Sequence, residues 1–208
     1  SIINADRQLM LFAADVLSRN PGGKIIFDVK CTRNLAPWIS QHGGTPIMWK
    51  TGHSFIKSKL IETQALLAGE MSGHLFFKER WYGFDDGLYA GARLLELLSH
   101  QADINAALND LPDSLNTPEL QIRVAEGENH ALIAQLQKNA VFSSAQQVIT
   151  IDGLRVEYSD GFGLARASNT TPVVVLRFEA DNELALKRIQ EDFRSNILQA
   201  KPDAHLPF

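Results

Sequence analysis

Apolar positions recur at helical spacing near the start of the chain, where Leu9, Phe12, Ala13, Val16 and Leu17 fall on one side of residues 6–18. Asn20-Pro21-Gly22-Gly23 stops that helix. KIIFDV at 24–29 reads as a short apolar strand, and a helix is expected after it, with the Thr32 hydroxyl as its cap. Pro37 is tolerated near a helix start but not deep inside, so this helix begins late or kinks. TPIMW at 45–49 is the next strand, SFIKSKLIE at 54–62 the next helix, and a third strand ends near Gly69. Asp85 and Asp86 then open a helix running to about Ser99, with Leu88, Ala92, Leu95 and Leu98 sharing a face and both carboxylates at the positive end of its dipole. Strand and helix alternate throughout this half, which predicts a layered α/β domain with parallel pairing.

The pattern changes after the polar stretch HQADINAALNDLPDSLNTP at 100–118, which holds two prolines. ELQIRVAE alternates as a strand and NHALIAQLQK is an amphipathic helix. QVITID, GLRVEY, FGLARAS and PVVVLRFEA are strands, joined by turns such as Asp152-Gly153 and Asp160-Gly161. A last helix carries Leu186, Ile189, Phe193 and Ile197 at spacings of three and four. Strands clustered between two helices suggest antiparallel pairing. The expected architecture is an α/β layered domain, a mixed sheet with flanking helices, over residues 1–113. An α+β domain with a mainly antiparallel sheet follows over 114–208, with the boundary inside 112–118.

Composition narrows the class. The chain has 208 residues and is 45% apolar, enough for a core without covalent staples. Its net charge of −4 argues against a general nucleic-acid surface, so any anion must be held by a local site. Cys31 is the single cysteine, which rules out an intramolecular disulfide, fits a reducing, cytoplasmic setting, and reads as a small buried apolar residue. No apolar run approaches the ~18 residues of a membrane span, and the N-terminus lacks the pattern of a signal peptide. The chain does not begin with Met, so a piece of a longer protein is expected.

Two stretches carry candidate chemistry. GEMSGH at 69–74 interrupts two apolar runs with a carboxylate, a hydroxyl and an imidazole. On an extended backbone Glu70, Ser72 and His74 would project to one side. A carboxylate accepts two hydroxyl protons at once, a hydroxyl donates or accepts, and the flanking glycines let a ligand approach the backbone. That array suits adjacent sugar hydroxyls; a polar turn at a strand end is the plainer alternative. RASNTTP at 166–172 offers the guanidinium of Arg166, the side chains of Ser168, Asn169 and Thr170, and turn N–H groups that suit an anion. Its plainer alternative is a polar hairpin loop. Lys30 and His53, with Lys50 nearby, lie at the ends of two other strands, where ligands of α/β sheets bind; solvated surface charge is the alternative for each lysine.

GEMSGHLFFKERWYGFDDG, with DVKCTRNL and WKTGHS before it and RASNTTPVVVLRFEA after it, resembles the α-D-phosphohexomutase family, in its bacterial phosphomannomutase/phosphoglucomutase type. The likeness covers residue 6 to the end and falls on the C-terminal half of that family, its third and fourth domains. It implies that Glu70 and Ser72 hold the 3- and 4-hydroxyls of a hexose, with His74 on the same loop and Lys30 and His53 beside the sugar. It implies that Arg166, Ser168, Asn169 and Thr170 grip a phosphate, with Arg177 in support. The implied reaction interconverts glucose or mannose 1- and 6-phosphates through an active-site phosphoserine and a 1,6-bisphosphate, aided by magnesium. Met71 stands where glucosamine-type relatives carry Gln, which favours the glucose/mannose type. The phosphoserine motif and the DGDGD-like magnesium loop are absent from the chain, and Asp85-Asp86-Gly87 opens a helix instead. The expectation is therefore the recognition half of an enzyme, inactive alone, whose partners are phosphohexoses and its own N-terminal domains. A phosphosugar-binding module without chemistry, or a glucosamine-type fragment, is the alternative.

Overall fold

The structure is a computed structural model that describes residues 3–208. It divides into two compact units, 1–113 and 114–208.

In the first unit the elements run α1 (Ala5–Arg19), β1 (Lys24–Asp28), α2 (Leu35–Gln41), β2 (Thr45–Trp49), α3 (His53–Thr63), β3 (Leu67–Gly69), β4 (Leu75–Phe77), α4 (Gly87–Ser99) and α5 (Ile104–Asn109). The sheet order is β2-β1-β3-β4. β1 pairs in parallel with β2 and β3, and the β3–β4 hairpin adds one antiparallel edge, so the sheet is mixed as expected. Successive residues of β1 face opposite sides. Ile25 and Phe27 join a core with Leu9, Phe12 and Val16 of α1, while Ile26 joins Ile56 and Leu60 of α3. Helices therefore cover both faces, and the sheet interior is apolar apart from Asp28 at the end of β1.

Local details depart from the sequence reading: β4 and α5 form where no element is expected, and α2 and α4 differ in detail. Thr32 does not cap α2: the helix starts at Leu35 behind Asn34, and the Thr32 hydroxyl accepts from the Asn34 N–H at 3.3 Å. Pro37 thereby sits in the first turn, where its missing N–H costs nothing. In α4 the helix is where expected but the buried face is not the leucine stripe. Leu88 and Leu95 are exposed at 91% and 71%, and Ala90, Arg93 and Leu97 face inward. Arg93 lays its guanidinium over Phe77, 4.6 Å from the ring centroid, and pairs with Asp15 at 3.0 Å and Glu79 at 2.9 Å.

The second unit runs β5 (Leu115–Asn116), β6 (Leu120–Arg123), α6 (Glu128–Asn139), β7 (Gln147–Ile149), β8 (Leu154–Tyr158), β9 (Gly161–Ala167), β10 (Val173–Ala180) and α7 (Glu183–Ala200). Strands β5-β10-β9-β8-β7 form an antiparallel sheet, and β6 pairs with the other end of β10. The helices pack on one face through Leu132, Leu136, Ile189, Phe193 and Ile197. β9 turns its small residues toward them. A Cβ on Gly163 would stand 2.3 Å from the Phe193 ring, so glycine there is what lets the ring lie on the strand.

Candidate functional site

The polar groups of the first unit gather at the carboxyl ends of its parallel strands, and one buried carboxylate joins their loops. Asp28, the last residue of β1, is fully buried. Its Oδ1 accepts from the Cys31 thiol at 3.0 Å and from the Met71 N–H at 3.1 Å, and its Oδ2 accepts from the Thr51 hydroxyl at 2.9 Å. The turn carrying Lys30, the loop before His53 and the 70–74 hairpin are thus bound to a single side chain. Three bonds to one buried ionisable group fix loop positions that a chain of glycines would leave mobile. Cys31 is buried, as its single occurrence suggested, and its thiol serves this same hub.

GEMSGH is a tight turn, not an extended strand. Glu70 N–H donates to the His74 carbonyl at 2.9 Å, the Gly73 N–H donates to the Glu70 carbonyl at 3.0 Å, and Gly73 takes a φ of +99°. Strand alternation therefore does not set where Glu70, Ser72 and His74 point. Glu70 is 2% exposed while Ser72 and His74 stand at the surface. Met71 packs against the apolar core. The Glu70 Oε1 accepts from the Gly52 N–H at 2.5 Å; Gly52 has a φ of +126°, which favours glycine. Among the described residues Oε2 has no hydrogen-bond partner. Burial pushes the Glu70 carboxyl above the usual carboxylate range; the Gly52 N–H opposes this, the charge of Asp28 adds to it, and His74 and Lys30 pull back.

Of the other residues singled out in the sequence, Lys30 and His74 act electrostatically on that carboxylate. Lys30 is 93% buried in the turn after β1, and its charge acts on Glu70. His53 is the first residue of α3 and is exposed, its ring centroid 6.4 Å from that of His74. Lys50 lies 5.8 Å from the Phe55 ring as a surface charge. His74 Nδ1 lies 2.7 Å from Asp85 Oδ2. Asp86 alone caps α4, accepting from the Tyr89 N–H at 2.9 Å, and also takes the Trp81 Nε1–H at 3.2 Å.

The second unit holds its candidate residues around the β9–β10 turn. Ser168 Oγ lies 3.3 Å from both the Thr170 and Thr171 N–H groups and 3.0 Å from the Thr171 hydroxyl. Two backbone donors thus converge on one oxygen, the geometry of an anion nest. Asn169 and Thr170 are exposed beside it. Asn129, near the start of α6 and 4% exposed, donates from Nδ2 to the Ser168 carbonyl at 2.9 Å and to that of Thr171 at 3.4 Å. Arg166 is 6% exposed, and its Nε donates to Asp152 Oδ2 at 3.2 Å. Gly153, with a φ of +82°, turns so tightly against this pair that a Cβ would stand 2.6 Å from the Arg166 Cβ. Arg177 lies mid-strand on β10, paired across from Leu164 and with Nη2 3.7 Å from Glu179, not in the turn.

Sequence reading gave no site role to Asp28, Gly52, Asp85, Asn129 or Asp152, reading Asp85 as a helix start and Asp152 as part of a turn. The available signal for Asp28 was an acid closing an apolar strand; Asn129, far along the chain from its loop, gave none. Among the described residues no group of three or more His, Cys, Asp or Glu is placed to hold a metal ion. Asp85 and Asp86 are committed to an imidazole and a helix end, so they do not fit a magnesium site. No helix among these residues is long and apolar enough to cross a membrane.

Two consecutive domains of one family account for this arrangement. Residues 4–115 match the phosphoglucomutase/phosphomannomutase alpha/beta/alpha domain III, and residues 119–196 match the C-terminal domain of the same proteins. The chain belongs to the phosphoglucomutase/phosphomannomutase family. It is 62% identical over its full length to a phosphoglucomutase of Neisseria meningitidis, covering 45% of that protein. It is 56% identical to the phosphomannomutase/phosphoglucomutase of Pseudomonas aeruginosa, with the same coverage on both sides. A crystal structure of a phosphoglucomutase/phosphomannomutase family protein from Burkholderia thailandensis superposes with a TM-score of 0.95 at 66% identity, over all of this chain and 44% of that one. The chain thus spans a little under half the length of these relatives. An N-acetylphosphoglucosamine mutase of Aspergillus fumigatus, solved with GlcNAc-6P and magnesium, shares the fold at a TM-score of 0.62 and 13% identity.

Proposed function

We propose that this chain is the sugar- and phosphate-recognition half of a phosphomannomutase/phosphoglucomutase, which interconverts hexose 1-phosphate and hexose 6-phosphate. The observation that carries the reading is Glu70, a buried carboxylate held by the Gly52 N–H with its second oxygen unpartnered at the strand ends. An unmet buried acceptor costs about 1–3 kcal/mol, and hydroxyl donors of a ligand would relieve that cost. A hexose offers two adjacent hydroxyls, and Ser72 adds a further donor or acceptor at the rim. Lys30, His53 and His74 supply positive charge or hydrogen bonds beside the sugar. Recognition through the 3- and 4-hydroxyls tolerates both orientations of the substrate and leaves C2, where glucose and mannose differ, unread.

In the second unit the Thr170 and Thr171 N–H groups, Ser168, Asn169 and the Arg166 guanidinium take a phosphate. Asn129 holds the turn and Asp152 holds the arginine. Arg177, buried and mid-strand, is assigned no direct contact. Met71 faces the core, so its part in choosing glucose or mannose over glucosamine is through the shape of the hairpin. In the parent enzyme a phosphoserine and magnesium supply the phosphoryl chemistry, with glucose 1,6-bisphosphate as intermediate, and both belong to segments this chain does not carry.

A coupled glucose 6-phosphate assay tests the reading. The 208-residue chain alone is expected to give no mutase turnover. Fused behind the first half of the N. meningitidis relative it is expected to give turnover from glucose 1-phosphate, and Glu70→Gln in that fusion is expected to remove most of it. Turnover by the chain alone, or a fusion indifferent to Glu70, overturns the proposal.

A further inference from the structure

We propose that Asp85 is the positioning residue for His74, fixing the tautomer in which Nδ1 carries the proton and Nε2 is a bare acceptor for a ligand hydroxyl. This rests on the reading of the first unit as a sugar site and extends it to a residue outside the turn. The geometry is specific. His74 Nδ1 and Asp85 Oδ2 are 2.7 Å apart, at the short end for a charge-assisted N–H···O bond. An ionised carboxylate only accepts, so the proton on this contact sits on the imidazole nitrogen. In a neutral ring the remaining nitrogen, Nε2, is then a lone pair.

The backbone holds both partners. His74 closes the turn through its carbonyl bond with the Glu70 N–H, and Asp85 is bridged in antiparallel fashion to Phe76, two residues beyond His74. The two adjacent carboxylates divide their work: Asp86 satisfies the start of α4, so Asp85 is not needed as a cap. His74 lies 6.4 Å, ring to ring, from His53. Nε2 is thus an acceptor within a cluster whose other imidazole and lysine can donate. A ring free to choose its tautomer would present N–H there part of the time and reject a hydroxyl donor.

The test is a long-range 1H–15N correlation spectrum of the chain with 15N-labelled histidine, recorded near pH ~8, where an ordinary imidazole is neutral. It separates protonated from bare ring nitrogens. The expected result is Nδ1 protonated and Nε2 bare at His74, lost in Asp85→Ala, with His53 unchanged in both. An Nε2–H tautomer in the parent chain, or a His74 pattern indifferent to Asp85→Ala, overturns the proposal. A calorimetric titration with glucose 1-phosphate reads the consequence, with Asp85→Ala expected to bind about tenfold more weakly. Equal affinity overturns the positioning role. No binding by the parent chain instead overturns the sugar-site reading and the ligand half of this proposal, while the tautomer, read without ligand, still decides the His74–Asp85 half.

Discussion

At the scale of single residues, the account turns on a buried carboxylate kept at a cost. Glu70 is 2% exposed, with one oxygen unpartnered, and burial raises its pKa. The folded state therefore holds that proton more tightly than the unfolded chain does. Folding around the ionised form carries a penalty that is absent below the ordinary carboxylate pKa and grows as pH rises through the raised folded value. Glu70→Gln keeps an acceptor for the Gly52 N–H and removes the charge. Thermal melts are expected to show this variant more stable than the parent by about 2–4 °C at neutral pH. The difference should close as pH falls toward ~4. A variant less stable than the parent at neutral pH would show that the carboxylate is not strained by its burial. The same substitution should weaken glucose 1-phosphate binding, because an amide oxygen replaces two charged acceptors.

At the scale of elements, sequence pattern located most helices and strands, though not β4, α5 or β5, and not always the face each one buries. α4 shows why. Its leucines recur at the right spacing, yet Leu88 and Leu95 face water, because Arg93 fills the inner position by laying its flat guanidinium on Phe77 and pairing with Asp15 and Glu79. A count of apolar residues cannot register a buried arginine whose charge is paired. GEMSGH shows the same limit: alternation was a sound guide for a strand, but two backbone bonds across the hairpin make it a turn. The residues of both loops were legible because their types carry chemistry. Their supports, Asp28 and Asn129, were not, because each acts across a long separation in sequence. Asn129→Ala removes two bonds made to the 168–171 turn from outside it. It is expected to weaken phosphate binding about tenfold, read by calorimetry with glucose 1-phosphate, and to cost about 1–3 kcal/mol of stability. Unchanged affinity in a folded variant would show that the turn needs no such clamp.

At the scale of the whole molecule, the chain carries two compact units, each with its own core and its own cluster of polar groups. It covers 45% of a relative that shares 62% of its residues. On the function proposed above, recognition would reside in these 208 residues and the phosphoryl chemistry elsewhere in a longer protein. The most direct measurement of this division is an amide NMR titration of the chain with glucose 1-phosphate, run beside glucose and inorganic phosphate. The account predicts that glucose 1-phosphate shifts resonances in both 69–74 and 166–171, that phosphate shifts only the second set, and that glucose shifts only the first. Silence of both loops at millimolar glucose 1-phosphate, with shifts elsewhere or nowhere, would contradict it.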